Sequence, residues 1–319
     1  MIKVEELIRT HSIQEHNHFA DAYFHNREND IYLYQKPFYN PLVCPPLVES
    51  VGKLLDIAKL SHGLKILDFA AGTCWLSRIL AQLECEVVCC DASQTALDIG
   101  KKLFEKYPPI ADNYFQPLFS LFDGIKLDFA DNSFDRIIVN DAFHHIANTS
   151  DVLREFYRVL KDDGLVAMSE PGRNHSTTKD SQFEMKTYNV IENDFILEDI
   201  WEESSKIGFQ DIAISPVLIN AHMDFEEYQS IINGDVPRYV AATLKQDTLN
   251  HTIFALYKQK QESQGSSYTT IESQELFDEA FYLQKYPDIA QAIKKGAFES
   301  GWHHYELYGK SEFRMVRKQ

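Results

Sequence analysis

The chain has 319 residues, of which 44% are apolar, and a formal net charge of −17 from 48 acidic and 31 basic residues. This apolar content is enough for one sizeable core, with length left over for a second small unit. The acidic excess repels phosphate backbones and anionic lipid surfaces, which argues against a nucleic-acid substrate and against membrane binding.

The first sixty residues are predicted to be mostly helical, from the apolar spacing in VEELIRT and LVESVGKLLDIAKL. The start of the chain has no apolar signal-peptide region, and no stretch approaches 18 uninterrupted apolar residues. We therefore expect a cytoplasmic protein without membrane insertion. Between the two helical stretches lie Tyr23, Tyr34, Phe38 and Tyr39. These aromatic side chains either close as a lid over a bound ligand or pack as core.

From Leu64 onward the pattern alternates between strands and helices. Seven segments read as strands: KILDF, EVVCCD, FQPLFSLF, FDRIIVND, GLVAMSE, FQDIAISPV and HTIFALYKQ. Such alternation with short connections predicts an α/β fold with a doubly wound, mostly parallel sheet. The last two strands lack a clear helix between them, so one of them is expected to pair antiparallel.

The five cysteines are an odd number, which indicates a reduced protein and not a disulfide framework. Cys85, Cys89 and Cys90 could in principle form a metal site. Residues 89 and 90, however, point to opposite faces of a predicted strand and cannot converge on one ion. We predict core cysteines.

The turn after the first predicted strand has the sequence FAAGTCW, in which Gly72 is the only glycine. A dinucleotide places its pyrophosphate against this turn, which requires more glycines and disfavours an indole such as that of Trp75. A cofactor without a phosphate needs only one glycine there, together with an acid for its ribose. Asp91, which closes the next strand, can accept hydrogen bonds from both ribose hydroxyls. An NAD-linked oxidoreductase remains the weaker alternative.

These residues resemble the class I S-adenosylmethionine-dependent methyltransferases. Four stretches carry the resemblance, which covers Leu64 to Tyr257: LDFAAGTCWLS, CCDAS, LFDGIKLDFADNSFDRIIVNDAFHHI and LREFYRVLKDDGLVAMSEPG. Ala70 and Ala71 replace the Gly and Cys that are usual in the first motif. The resemblance implies a Rossmann-like methyltransferase fold of seven strands, with S-adenosyl-L-methionine as cofactor and S-adenosyl-L-homocysteine as product.

The resemblance also implies cofactor roles for nine residues. Asp68 would lie at the methionine end, and Ala70 and Gly72 would lie along the amino acid and ribose. Asp91 would bind the ribose hydroxyls, and Ala92 would lie against the adenine. Asp123 would bind the adenine amino group with Gly124 beside it, and Asn140 and Asp141 would lie near the sulfonium. The alternative for Asp68 and Asp123 is an ordinary role in a turn or cap.

Methyl transfer from a sulfonium depends mainly on alignment, but a hydroxyl or amine acceptor also needs a base. Candidate catalytic residues at the strand ends are His144, His145, Glu170 and His175. The alternative for His144 and His145 is that they serve packing and helix capping. A metal held by His144, His145, Glu170 and Asp141 is disfavoured, because adjacent histidines rarely converge on one ion, and no metal is predicted.

Two connections, 171–193 and 218–250, are longer than a typical connection. Each is either functional or an elaboration of the surface. We predict an acceptor site where Asn140–His145, Glu170–His175 and the 218–250 insertion meet, under the N-terminal aromatics. The EPGRNHS stretch resembles methyltransferases encoded with bacterial glycan assembly enzymes. That resemblance implies that the protein methylates a small molecule or a glycan, chiefly on oxygen. A process in which such a step would occur is polysaccharide biosynthesis.

The C-terminal part has a different composition. Its FDEAFYLQKYPDI and HHYELYG stretches resemble a small module appended to bacterial glycosyltransferases and surface-polysaccharide proteins. The predicted organisation is a helical lid segment at 1–60, a methyltransferase domain at 61–258, a polar linker at 259–272 and a small helical module at 273–319 that docks a partner. A non-catalytic cofactor- or glycan-binding protein is the alternative from a different class.

Overall fold

The computed structural model describes six stretches of the chain: residues 1–110, 114–216, 223–233, 238–261, 274 and 277–310. The chain divides into two compact units, 1–260 and 261–319. Of the predicted linker, 259–272, only the first three residues lie within the described part.

The first unit is built on a seven-stranded sheet with the strand order β3-β2-β1-β4-β5-β7-β6. The strands are β1 (Lys65–Phe69), β2 (Glu86–Asp91), β3 (Leu118–Leu121), β4 (Phe134–Asn140), β5 (Leu160–Pro171), β6 (Asp211–Ser215) and β7 (His251–Tyr257). Strands β1 to β5 pair in parallel, and β7 is antiparallel to both β5 and β6. The predicted fold class and the predicted antiparallel strand are confirmed.

Helices cover both faces of this sheet, so its central strands are apolar on both sides. Successive residues face opposite layers: Cys89 belongs to one buried cluster and Cys90 to the other. All five cysteines are free, and four of them are buried, which confirms the interpretation as core cysteines.

The helices of the first unit are α1 (Val4–Thr10), α2 (Ile13–Asn26), α3 (Tyr32–Gln35), α4 (Cys44–Ile57), α5 (Trp75–Gln82), α6 (Gln94–Lys106), α7 (Thr149–Val159), α8 (Lys179–Tyr188), α9 (Leu197–Ile207), α10 (Phe225–Ile232) and α11 (Arg238–Asn250). Helix α8 lies in the 171–193 connection, and α10 and α11 lie in the 218–250 insertion. Across the described residues, no helix combines the length and the apolar character that crossing a membrane requires.

Helix α2 lies across the carboxyl edge of the sheet, and two contacts fix it there. The Asp21 carboxylate accepts hydrogen bonds from Ser93 Oγ (2.8 Å) and from the Thr95 N–H (2.9 Å) at the start of α6. At Gly124, where φ is +90°, a β-carbon would lie 2.3 Å from Ile13 Cγ2. Only glycine therefore lets the loop after β3 approach α2 this closely.

The second unit contains α12 (Glu279–Lys285), α13 (Pro287–Lys294), α14 (Gly301–His304) and a π turn at Tyr305–Gly309. Its small core consists of Tyr282, Ile289, Trp302 and Tyr305. The Glu279 carboxylate accepts from the N–H groups of Gly301 (2.6 Å) and Trp302 (3.0 Å), which caps α14.

A chain that ends after residue 261 is expected to keep the stability of the first unit. Residues near its end make hydrogen bonds within that unit: Lys258 Nζ donates to the Leu160 carbonyl (2.7 Å), and the Lys260 N–H donates to Gln210 Oε1 (3.1 Å). Calorimetry should place its main unfolding transition within about 4 °C of the same transition in the full chain, which corresponds to a loss of no more than about 1 kcal/mol. Aggregation of the shortened chain, or a larger fall in Tm, would show that the second unit supports the first.

Candidate functional site

A cavity of about 370 Å³ lies at the carboxyl edge of the parallel strands, where open α/β sheets bind ligands. Its volume suits a small molecule. The walls are formed by the ends of β1, β2 and β4, by the turn after β4, by α2 and α3, and by the 171–193 connection.

This cavity brings most of the predicted site residues together. Those that line it are Asp68, Ala70, Gly72, Asp91, Ala92, Gly124, Asn140, Asp141, His144, His145 and His175. Asp123 and Glu170 do not line it. The two groups that were inferred separately, one for a cofactor and one for catalysis, therefore share one space.

Asp91 is positioned by the backbone of the first loop. The N–H of Gly72 donates to one of its carboxylate oxygens (2.7 Å) and the N–H of Ser93 to the other (2.8 Å). Each oxygen keeps acceptor capacity for a further donor, such as a ribose hydroxyl. Burial raises the pKa of Asp91 to about 6, although both N–H groups favour the ionised form.

The loop itself is tightly turned, with left-handed backbone at Ala70 and Gly72, where φ is +53° in each case. A β-carbon on Gly72 would lie 3.6 Å from the ring of Phe24 on α2, so this part of the loop faces the helix above it. A left-handed alanine is energetically costly, and residues of this kind concentrate at functional sites. Asp68, before the loop, is buried and accepts a hydrogen bond from Ser77 Oγ. Burial raises its pKa to about 7.

Asp123, the predicted adenine partner, lies in the turn after β3. Its side chain is exposed, and Oδ1 accepts from the N–H groups of Ile125 (2.7 Å) and Lys126 (2.8 Å). The neighbouring Gly124 does line the cavity. The alternative given above for Asp123, a role in a turn, is the one that its hydrogen bonds match.

Glu170 is fully buried and has no acceptor capacity left. Its carboxylate accepts from the N–H groups of Ala142 (3.1 Å), Phe143 (2.9 Å) and His144 (3.2 Å), and from His144 Nδ1 (2.8 Å). Four bonds fill the sites of one carboxylate. The prediction that Glu170 is a base facing the acceptor is therefore wrong; it is a positioning residue that folds the turn after β4 and orients His144.

Three histidines converge on Glu192, a nearly buried residue that sequence reasoning missed. His175 Nε2 lies 2.7 Å from Glu192 Oε2, and His144 Nε2 lies 3.9 Å from the same oxygen. His145 Nδ1 lies 3.6 Å from Glu192 Oε1 and 2.5 Å from the Ile191 carbonyl. We define these four residues, His144, His145, His175 and Glu192, as the His–Glu cluster.

The electrostatics of the cluster differ from residue to residue. Burial lowers the pKa of His145, and the adjacent His144 lowers it further. Burial also opposes the charge on His144, but its bond to Glu170 and the other nearby carboxylates outweigh burial and raise its pKa. At neutral pH the sign of these shifts favours a neutral His145, which can accept a proton.

Asp141 completes this side of the cavity. It adopts a left-handed conformation, with φ at +54°, and its accessible side chain opens into the cavity. Its removal from bulk water inside the cavity would by itself raise its pKa, but His144, Lys36 and His145 lower the pKa below its ordinary value. An ionised Asp141 can therefore face a cationic sulfonium.

The aromatic wall differs from the predicted lid. Of the four predicted aromatics, only Tyr23 lines the cavity; Phe24 and Tyr32 line it as well. The Tyr23 hydroxyl lies 3.0 Å from that of Tyr32 and accepts from Arg27 Nη1 (2.6 Å). Tyr34, Phe38 and Tyr39 do not line the cavity, and the ring of Phe38 is exposed.

The predicted contribution of the 218–250 insertion is not found. No residue of its described stretches, 223–233 and 238–250, is among those that line the cavity, and residues 217–222 and 234–237 lie outside the described chain. The 171–193 connection lines this side, through His175, Glu184 and Glu192.

Buried polar atoms without a partner also point to a ligand. Among the described residues four such side-chain atoms occur, and three of them belong to residues that line the cavity: His16 Nδ1, His16 Nε2 and Glu184 Oε2. Folded proteins leave few buried polar atoms unpaired, so atoms of this kind mark places where a ligand or water completes the bonding. The Nζ of Lys36, another cavity residue missed from sequence, lies 5.8 Å from the centroid of the Tyr32 ring.

Residues 67–168 match the protein family described as "Methyltransferase domain". This part of the chain is similar to methyltransferase domains. The predicted fold and the predicted S-adenosylmethionine-dependent class of this domain are confirmed.

Several methyltransferases are similar in sequence to this part of the chain and to its flanking residues. A demethylmenaquinone methyltransferase from Streptomyces griseus is 38% identical over 106 residues, which cover 33% of this chain and 42% of that protein. A ubiquinone/menaquinone biosynthesis C-methyltransferase from Idiomarina loihiensis is 25% identical over 193 residues, 57% of this chain and 75% of that protein. The chain spans less than half the length of the first of these.

Among solved structures, a phosphoethanolamine N-methyltransferase 2 from Haemonchus contortus in complex with S-adenosyl-L-methionine has a similar fold. The TM-score is 0.55 at 19% identity, and the match covers 79% of this chain and 61% of that one. The methyltransferase domain as matched ends before His175 and Glu192, so half of the His–Glu cluster lies outside it.

Proposed function

We propose that the protein transfers a methyl group from S-adenosylmethionine to a small-molecule acceptor and releases S-adenosylhomocysteine. The single observation that carries the proposal is the cavity, in which the loop of Gly72 with Asp91 and the turn of His144 with His145 line one continuous space. A sulfonium held by the first set would present its methyl group to an acceptor held at the second.

For the cofactor, the proposal assigns the ribose hydroxyls to Asp91 and the adenine to the wall of Ala92 and Gly124. Asp68 and Asn140 would face the methionine end. The net negative charge of this wall complements the cationic sulfonium and the ammonium group.

For the acceptor, we propose a hydroxyl group whose proton His145 removes. The acceptor oxygen then attacks the methyl carbon, the bond from that carbon to sulfur breaks, and its electron pair stays on sulfur. The lowered pKa of His145 supports this, because a neutral imidazole is required at the start.

The relatives support a second candidate for the acceptor atom. One of them is a C-methyltransferase of ubiquinone/menaquinone biosynthesis, a class that methylates carbon and not oxygen. The same base would serve a hydroxylated ring, since loss of the hydroxyl proton raises the electron density on the ring carbon. A glycan acceptor, with the second unit as a docking module, rests on the resemblance of the 171–193 connection and the tail.

Calorimetry with S-adenosylmethionine, S-adenosylhomocysteine and NAD tests the cofactor. Transfer of a ¹³C-labelled methyl group to hydroquinones, free glycans and nucleotide sugars tests the acceptor, because NMR distinguishes an O-methyl from a C-methyl product. Binding of NAD alone would contradict the proposal. Tight binding of S-adenosylhomocysteine without turnover on any acceptor would favour the non-catalytic alternative.

The affinity for S-adenosylhomocysteine is expected to fall as the pH drops below about 6. Ribose hydroxyls bind the ionised carboxylate of Asp91, whose pKa burial raises to about 6, so binding below that pH must release a proton. The loss should approach about tenfold per pH unit, and calorimetry in buffers of different ionisation enthalpy would count the protons.

The Asp91→Asn variant is the control for this pH dependence. It should lack the transition near pH 6 and keep only one set by Asp68, whose pKa burial raises to about 7. The same pH dependence in the variant and in the unmodified protein would contradict the role of Asp91.

A further inference from the structure

The His–Glu cluster places acceptor atoms around one point of the cavity wall. One ligand atom each from His144, His145 and Glu192 lies within 4.8 Å of the other two. A divalent ion with bonds of about 2.0–2.2 Å to nitrogen and oxygen would hold its ligand atoms roughly 3.4 Å from one another. Side-chain shifts of about 1 Å would bring the three ligand atoms to that separation.

The hydrogen bonds fix which ring nitrogens carry protons. The Glu170 carboxylate accepts three backbone N–H groups, and we assign His144 Nδ1 as its fourth donor. The Ile191 carbonyl can only accept, so His145 Nδ1 donates to it. In a neutral ring the proton on Nδ1 leaves a lone pair on Nε2, and in His144 this atom lies 3.9 Å from Glu192 Oε2.

The side chain of Glu192 is also oriented by a hydrogen bond. His175 Nε2, 2.7 Å from Glu192 Oε2, donates to this carboxylate and fixes its orientation. Histidine ligands of metals typically donate their other N–H to a carboxylate or backbone carbonyl, and ligating carboxylates are themselves hydrogen-bonded. Glu170, the Ile191 carbonyl and His175 supply these supporting bonds.

His144 Nε2 and Glu192 Oε2 are 3.9 Å apart, which is too far for a hydrogen bond between them. We propose that His144, His145 and Glu192 bind one divalent transition-metal ion in the wall of the cavity, with its remaining positions open to the acceptor.

Two imidazoles and one carboxylate suit ions such as Zn²⁺, Fe²⁺ or Co²⁺, and not Mg²⁺ or Ca²⁺, which prefer oxygen ligands.

The role of the ion rests on the proposed function. As a Lewis acid it would lower the pKa of an acceptor hydroxyl, whose proton would pass to solvent water before the oxygen attacks the methyl carbon, and His145 would then act as a ligand of the ion in place of the base. Adjacent histidines were expected not to converge; the turn that wraps Glu170 brings their ring centroids to 3.9 Å.

The test uses the full chain without a histidine tag, freed of metal by a chelator and titrated with Co²⁺. Visible absorption and calorimetry should report one equivalent of Co²⁺ bound. His145→Ala and Glu192→Gln should weaken binding by at least about tenfold, and Glu170→Gln by about 10- to 100-fold, as for other residues that orient metal ligands. His62→Ala is the matched control, since that side chain is 79% exposed and is paired with Glu84.

The affinity for S-adenosylhomocysteine, measured on the same samples, shows that each variant is folded. Failure of the unmodified protein to bind Co²⁺ while it binds S-adenosylhomocysteine would overturn the metal site and leave the proposed function intact. Co²⁺ binding that is unchanged in His145→Ala and Glu192→Gln would overturn it as well. Co²⁺ binding as expected, without any methyl transfer, would support the site and count against the proposed function alone.

Discussion

Replacing Asp91 with alanine is expected to weaken S-adenosylhomocysteine binding by about 30- to 1,000-fold. The carboxylate would lose its bonds to two ribose hydroxyls, and charge-assisted hydrogen bonds of this kind are together worth about 2–4 kcal/mol. The position supports the expectation: Asp91 ends β2, is nearly buried and borders the cavity beside Gly72. Isothermal calorimetry at pH 7.5 (about 1.5 units above the raised pKa of about 6) measures the effect with the carboxylate ionised.

The alanine variant also leaves the N–H groups of Gly72 and Ser93 without their acceptor, so it will lose some stability. Asp91→Asn keeps an oxygen for one of them and separates the loss of charge from the loss of the loop. Asp98→Ala is the control, because Asp98 lies on the following helix, carries an ion pair with Lys101 and does not line the cavity. Unchanged affinity in folded Asp91 variants would remove the assignment of the ribose site.

Replacing His145 with alanine is expected to lower turnover by about 10²- to 10⁴-fold while the affinity for S-adenosylhomocysteine stays nearly constant. The side chain lines the cavity, its pKa is lowered by burial and by His144, and its Nδ1–H is held by Ile191. Initial rates at saturating cofactor, with a ¹³C- or ³H-labelled methyl group, give the measurement. Turnover of the His62→Ala variant should match that of the unmodified protein.

Turnover of the Glu170→Gln and His175→Ala variants tests residues that position the cluster. Both residues position the cluster, Glu170 through His144 and His175 through Glu192, so their loss should shift the pH profile of turnover as well as its maximum. Full turnover in His145→Ala and in His144→Ala would mean that alignment alone drives the transfer. In that case neither the base nor the metal role of this turn would stand.

The strands and the cofactor loop could be predicted from the sequence because they depend on local patterns. Short apolar runs alternating with amphipathic segments fix a parallel sheet, and in such a sheet every strand end lies at one edge. Gly72 and Asp91 follow two adjacent strands, so their proximity was expected before any coordinates, and their hydrogen bond of 2.7 Å agrees with it.

The chemistry of the opposite wall was decided by tertiary structure. His145 and Glu192 are 47 positions apart, and no periodicity marks Glu192 within its segment. Glu170 ends a strand just as Asp91 does, yet the turn of 142–144 folds around its carboxylate and seals it from the cavity. Sequence patterns state which faces are apolar, but which loop side chain reaches a cavity depends on how distant segments dock. The same limit applies to the lid, where the orientation of α2 places Tyr23 and Phe24, and not Phe38, over the site.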